Sequence, residues 1–266
     1  MNGTMNKQNR LYLGTNTKMY MTIAQTVEYL NALNTLTAEV SWDELELFVI
    51  PSFTTLYHAR QCVKSSHIRL GAQNMGWEQR GQFSGEISPV MLQEVGAEIV
   101  MIGHSERRHV LLETDEMENK KVLCALENDL LPLLCIGETG EEKKLGRSDE
   151  VLRTQLAEGL RGVTFAQAEK LRIAYEPVWA IGVNGAPATK EYAAEKHAVI
   201  RDCLLELFGA TGNCIPVLYG GSVNLENAPE LIRMPNIDGL FIGRSAWQAE
   251  RFHEILRTVL PLWRAK

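Results

Sequence analysis

The 266-residue chain contains no apolar run of the ~18 residues that a membrane-spanning helix needs. Its first ten residues are polar and lack the apolar segment of a secretory leader, so neither export nor membrane insertion is expected, and a cytoplasmic protein with a tail over residues 1–10 is. No Lys/Arg run offsets the formal net charge of -6, which argues against nucleic acid and against anionic membrane surfaces as partners. The five cysteines are odd in number, irregularly spaced and without a CxxC pair, so neither a disulfide framework nor a zinc site is indicated. Also missing are a GxSxG elbow, a Walker loop, a GxGxxG fingerprint and any metal-ligand cluster, so the sequence implies no cofactor and no metal. With no Pro/Gly/Ser-rich linker to divide it, the chain is expected to fold as one large domain over residues 11–266.

What is present is an alternation. Short apolar runs suited to buried parallel strands lie at Leu11–Thr15, Leu45–Pro51, Ile68–Gln73, Ile99–Gly103, Leu131–Gly137, Arg172–Tyr175, Ile215–Tyr219 and Gly239–Ile242. Helical patterns intervene at Ala24–Leu36, Thr54–Lys64, Pro89–Val95, Glu116–Asn128, Asp149–Leu160, Lys190–Leu207, Leu225–Ile232 and Trp247–Leu260. Eight strand-then-helix units over about 250 residues predict the α/β class and, within it, a single (β/α)₈ barrel. Such a barrel carries its chemistry at the C-terminal ends of the strands, so the polar residues just after each apolar run are the site candidates.

After the sixth run comes Glu176-Pro177-Val178-Trp179-Ala180-Ile181-Gly182. Proline biases Glu176 toward an extended backbone and rules out helix continuation, which leaves a carboxylate on a stiff strand end. The apolar stretch behind it, ending in a glycine, has the composition of a lid. The first run ends in Asn16-Thr17-Lys18, the third in Gln73-Asn74 and the fourth in Gly103-His104-Ser105-Glu106. Ser105 is a good N-cap residue, and an imidazole at a helix N-terminus meets the positive end of the dipole, which disfavours its protonated form. His104 is therefore expected to act as a neutral hydrogen-bond donor. Gly182, the Gly220-Gly221-Ser222 turn and Gly243-Arg244 offer donors for an anion at three loops, two of them after strands seven and eight, where such barrels hold phosphate.

A carboxylate base, a neutral electrophile, a lysine and a phosphate cradle together describe proton abstraction alpha to a carbonyl, with stabilisation of the resulting enediolate. The same residues on a barrel that merely binds a phosphorylated sugar are the alternative of another class.

Asn16-Thr17-Lys18, Gly103-His104-Ser105-Glu106-Arg107-Arg108, Cys135-Ile136-Gly137-Glu138, Tyr175–Gly182 and Tyr219-Gly220-Gly221-Ser222-Val223 resemble, in order and spacing, the signature segments of the triosephosphate isomerase family. The resemblance implies interconversion of glyceraldehyde 3-phosphate and dihydroxyacetone phosphate in glycolysis and gluconeogenesis. It assigns Glu176 as base, His104 as electrophile, Lys18 and Asn16 as electrostatic and polar partners, and Glu106 as the lysine's carboxylate neighbour. Gly182, Gly221, Ser222, Gly243 and Arg244 stand at the phosphate-binding positions. It also implies a homodimer in which the long loop Met75–Glu86, with Trp77 and Phe83, covers itself on a partner and Ser84 reaches toward that partner's site.

Three departures stand out. Val183-Asn184-Gly185-Ala186-Pro187 replaces the usual second lid hinge, Arg244 replaces a glycine, and Thr17 stands where the family usually has tryptophan, which would free space beside Asn16 and Lys18. The altered hinge resembles a branch of the family that interconverts L-erythrulose 1-phosphate and D-erythrulose 4-phosphate in erythritol catabolism.

Overall fold

Strands that are apolar on both faces can be buried only if another layer covers each face, and here the sheet closes on itself to provide the inner one. In the computed structural model, which describes residues 10–182 and 185–266, eight parallel strands pair in sequence order and the last pairs with the first. They are β1 (Leu11–Asn16), β2 (Leu45–Ile50), β3 (Arg69–Ala72), β4 (Ile99–Ile102), β5 (Leu131–Ile136), β6 (Arg172–Tyr175), β7 (Val217–Tyr219) and β8 (Gly239–Ile242).

Alternation along each strand then sorts residues between two cores. Tyr12, Phe48, Ile50, Ile99, Met101, Leu133, Cys135, Ala174, Leu218 and Phe241 fill the barrel. Leu11, Leu13, Leu47, Val49, Ile173 and their like pack outward against the helices. Phe48 stacks on Phe241 across the lumen with ring centroids 5.8 Å apart. Gly14 is what admits that ring, because a Cβ there would lie 2.0 Å from the Phe48 Cζ.

The same period of two puts polar residues at the two ends of the lumen. At the N-terminal end, Arg172 Nε and Nη2 donate to Glu46 at 2.8 and 3.0 Å, a buried, two-pronged pair that plugs the bottom. At the C-terminal end, β1 continues Tyr12, Gly14, Asn16 and β6 continues Arg172, Ala174, Glu176, so that Asn16 and Glu176 both arrive at the mouth.

The outer layer comprises α1 (Ile23–Leu36), α2 (Leu56–Val63), α3 (Pro89–Glu94), α4 (Ser105–His109), α5 (Asp115–Glu127), α6 (Gly140–Lys144), α7 (Ser148–Gly159), α8 (Phe165–Ala168), α9 (Lys190–Phe208), α10 (Ala228–Ile232) and α11 (Ala249–Arg264). Thr22, Thr139 and Thr164 each open a helix with a reciprocal capping box, to Gln25, Glu142 and Gln167. No helix among the described residues is long and apolar enough to cross a membrane.

Two boundaries shift from the sequence expectation because of proline. The seventh strand starts at Val217, after Pro216, and the helix expected from Leu225 starts at Ala228, with Pro229 in its first turn. The short helices α4, α6 and α8 are additions to the expected pattern, each being five residues or fewer. Residues 1–9, where the tail is expected, and Val183-Asn184 of the altered hinge lie outside the described residues.

Candidate active site

Glu176 is set in place by its backbone on both sides. Its N–H donates to the Ile136 carbonyl at 2.7 Å, and two residues on, the Val178 N–H donates to the Glu138 carbonyl at 3.0 Å. Gly137 is pressed against the Glu176 carbonyl so closely that a Cβ there would lie 2.0 Å from the oxygen, and a Cβ at Gly220 would lie 2.8 Å from Glu176 Cγ. Gly220, which the sequence presents as an anion donor, thus also makes room for the carboxylate. Glu176 is 4% exposed, and its Oε2 has no hydrogen-bond partner among the described residues. An unsatisfied buried carboxylate oxygen at a cavity mouth is an acceptor held for something else. The Cys135 thiol lies against it, its pKa pushed up by burial first and then by the Glu176 charge.

Ser105 is the expected cap of the helix after β4, but His104 fills that position itself. Its Nδ1 accepts from the Glu106 N–H at 3.2 Å. An Nδ1 that accepts carries no proton, so the neutral ring presents Nε2–H. That nitrogen lies 3.6 Å from Glu176 Oε1. The backbone of α4 thereby orients the imidazole in the way the expected role as neutral donor requires.

Lys18 has a left-handed backbone, φ 52°, which the Asn16 side chain supports by accepting the Lys18 N–H at 2.8 Å. Its Nζ reaches Glu106 Oε1 at 2.8 Å, as expected of the pair. Burial raises the Glu106 carboxyl, but the hydrogen bond from Lys18 and the charge of that ammonium outweigh it and leave it below the ordinary range. Asn16 is buried and receives Gln73 Nε2 on its Oδ1 at 3.1 Å, while among the described residues its own Nδ2 meets only the Met101 sulfur, at 3.7 Å. A thioether is a weak acceptor, so this amide N–H remains available to a ligand. Thr17 is fully buried, and its hydroxyl has no hydrogen-bond partner among the described residues.

At the other rim, Arg244 Nη2 approaches the Gly182 carbonyl at 3.4 Å, which brings the loop after β8 to the lid. Gly243 has open space where a Cβ would be. At Gly221 a Cβ would meet the Tyr219 hydroxyl at 2.2 Å, so a larger residue there would have to displace the buried Tyr219 ring. Ser222 is half-buried, and its carbonyl accepts from Asn227 at 2.8 Å. Of the expected phosphate-side residues, Arg244 and Gly182 are brought into contact, while Gly221 and Ser222 stand in the loop after β7 and Gly243 in the loop after β8. No group of His, Cys, Asp or Glu that could hold a metal ion occurs among the described residues.

A family model described as triosephosphate isomerase matches residues 11–259. The chain belongs to the triosephosphate isomerase family. Within that family it is 46% identical over 251 residues to the L-erythrulose-1-phosphate isomerase of Rhizobium etli, covering 94% of this chain and 92% of that one. It is 42% identical over 247 residues to the triosephosphate isomerase of Aquifex aeolicus, covering 93% and 98%. The crystal structure of triosephosphate isomerase from Bartonella henselae superposes with a TM-score of 0.85 at 35% identity, covering 94% of this chain and 98% of that one. The chain is accordingly an isomerase of this family.

Several contacts at the site are not legible in the sequence. Trp247 Nε1 donates to the Asn16 carbonyl at 2.9 Å and its ring lies against exposed Tyr20. Glu138 is fully buried and gathers three donors: Tyr175 Oη at 3.0 Å, Trp179 Nε1 at 2.8 Å and Tyr192 Oη at 2.7 Å. It thereby fixes Trp179, the first lid residue with a polar handle. Lys143 Nζ sits 3.2 Å over the Trp179 ring from the opposite side. Glu138 stands in a signature segment, but its hold on Trp179 depends on burial and on the convergence of three donors, neither of which is visible in the sequence.

Proposed function

We propose that this isomerase moves a proton between adjacent carbons of a small ketose phosphate, and that its preferred substrate has four carbons, L-erythrulose 1-phosphate going to D-erythrulose 4-phosphate. The observation that carries the chemistry is the Glu176–His104 pair. Its two groups are 3.6 Å apart, both nearly inaccessible, with the imidazole's Nε2–H facing the mouth. Glu176 takes the proton from the hydroxyl-bearing carbon next to the carbonyl. The C–H electrons become a C=C bond, and the carbonyl oxygen, polarised by Nε2–H and by the Lys18 ammonium, takes up the displaced pair. His104 Nε2–H gives its proton to the former carbonyl oxygen and takes one from the neighbouring hydroxyl, and collapse of the enediolate from that second oxygen draws the proton on Glu176 back to the former carbonyl carbon. No electrons leave the substrate, so no redox partner enters the balance.

The 46% identity to the Rhizobium etli relative supports the four-carbon substrate and, through it, a place in erythritol breakdown. So does Arg244 at a rim where a triose enzyme usually has glycine. The triose reading is favoured by the 42% identity to the Aquifex aeolicus relative. Initial rates on L-erythrulose 1-phosphate and dihydroxyacetone phosphate, side by side, separate them: the four-carbon ketose is expected to show the higher kcat/KM, and turnover of the triose alone would reverse the assignment. Solvent deuterium entering neither substrate would instead leave a non-catalytic binder.

The proposal extends to a homodimer. In the loop Met75–Glu86, Trp77 and Phe83 pack edge to face at 5.7 Å while Phe83 stays 43% exposed and Ser84 faces solvent. Aromatic surface of this kind is favoured where a second copy covers it. Light scattering is expected to give twice the chain mass.

A further inference from the structure

Behind the floor of the site lies a carboxylate that the proton transfer does not use. Glu118, in the first turns of α5, is fully buried, and neither of its oxygens accepts an aligned hydrogen bond among the described residues. Its close ionic contact is to Arg108 Nη2. Carboxylate and guanidinium together press on the Cα of Gly103, where a Cβ would lie 2.8 Å from Glu118 Cδ and 3.0 Å from Arg108 Nη2. Gly103 immediately precedes His104.

Arg108 is a clamp between strand ends. Its Nε donates to the Gly103 carbonyl at 2.9 Å, and its Nη2 donates to the Cys135 carbonyl at 3.1 Å. It therefore ties the residue ahead of His104 to the residue whose thiol abuts Glu176. Its Nη1 is held by Asp115 at 2.5 Å. Nη2 is thus divided between Glu118 and the Cys135 carbonyl, and the charge on Glu118 decides how the guanidinium is shared. With Glu118 ionised, the guanidinium is stretched between two carboxylates and presented to both carbonyls. With Glu118 protonated, Asp115 alone draws it, and the hold on Cys135 slackens.

We propose that Glu118 is a positioning residue, acting through Arg108 on the Gly103 and Cys135 carbonyls, whose protonation relaxes the spacing between His104 and Glu176 and lowers turnover. Burial, first, places its pKa at about 8, with Asp115 and Glu113 adding to the rise and Arg108 and Lys121 opposing it. The groups facing it are those four and, from β5, the Cys135 thiol, on whose pKa Glu118 also acts. The switch therefore lies within the pH range of an assay.

The kinetic arm of the test rests on the proposed function; the spectroscopic arm does not. Wild type on L-erythrulose 1-phosphate, or on dihydroxyacetone phosphate if only that turns over, is expected to gain kcat several-fold through an ionisation near pH 8. Glu118→Gln is expected to stay at the lower plateau without that inflection. In the free enzyme, the ¹⁵N shift of His104 Nε2 is expected to track the same ionisation in wild type and to be flat across it in Glu118→Gln. An inflection that survives in the variant, or a wild-type His104 that does not sense it, would overturn the proposal. The wild-type spectrum decides if the variant does not fold, and failure of both substrates would count against the proposed function alone.

Discussion

His104 Nε2 stands 3.6 Å from Glu176 Oε1, close enough for both to touch one substrate and beyond hydrogen-bond range of each other. In the proposed mechanism that spacing leaves Glu176 as base and His104 as electrophile free for the two halves of an enediol. It also makes the length of the Glu176 side chain the sensitive quantity. Glu176→Asp is expected to keep the fold and to lower kcat by about 10²- to 10³-fold, since the shorter carboxylate loses reach rather than basicity. A kcat within threefold of wild type would remove Glu176 from the role of base.

Gly220 tests the same geometry from the side. A Cβ there would meet Glu176 Cγ at 2.8 Å and Oε1 at 3.4 Å, so the carboxylate must give way. Gly220→Ala is expected to lower kcat about tenfold or more with little change in Tm, the cost of a sub-ångström displacement at the reacting atoms. Gly137→Ala, aimed at the Glu176 backbone carbonyl rather than its side chain, is expected to lose stability as well, and thermal melts of the two variants separate the cases.

Lys18 is the cation that the proposed mechanism sets against the developing oxyanion, and its left-handed backbone is held by the Asn16 side chain. Lys18→Met is expected to reduce kcat/KM by about 10²-fold or more without lowering Tm. The parent's KM should rise with salt, because the ammonium is partly exposed and its attraction for a phosphorylated ligand is screened.

At the barrel bottom, burial works to raise the Glu46 carboxyl, but Arg172, and behind it Arg69 and Arg10, outweigh it and hold it below the ordinary value. A depressed acid stabilises the fold above its unfolded-state pKa, near 4.5, and that stabilisation is lost as pH falls through the folded value. Glu46→Gln is expected to cost about 3–5 kcal/mol at neutral pH by leaving Arg172 buried without its counter-charge. The difference from wild type should narrow in acid, measured by urea unfolding between pH 7 and 3.

Glu118 has the opposite sign. Raised from 4.5 to about 8, it holds its proton more firmly folded than unfolded, so its burial costs nothing in acid and costs progressively more as pH climbs between those values. Glu118→Gln is expected to match wild type in stability near pH 4 and to exceed it by a few kcal/mol at pH 9, at roughly 1.4 kcal/mol for each tenfold change in proton affinity. Equal stabilities at pH 9 would mean that the carboxylate is solvated there.

The strand count, the order of the elements and the residues at the strand ends were legible in the sequence, because a parallel strand covered on both faces must be apolar throughout and a barrel gathers the residues after its strands at one mouth. Glu176, His104, Lys18, Asn16 and Glu106 could be named in advance for that reason. Local pattern reached its limit wherever a side chain's meaning depended on its neighbours across the fold. Nothing about His104-Ser105 distinguishes a histidine beside a cap from one that is the cap, and nothing about Thr17 reveals that it is fully buried with its hydroxyl unpaired among the described residues. Glu138 and Glu118 are ordinary acids in helix- and loop-like surroundings until three donors converge on one and a single guanidinium presses against the other. Chain-local periodicity determines which face a residue takes; only the pairing of β4 with β5 and the packing of α5 against them bring Arg108, Glu118, Gly103 and Cys135 together, because a contact between side chains distant along the chain is decided by tertiary packing alone.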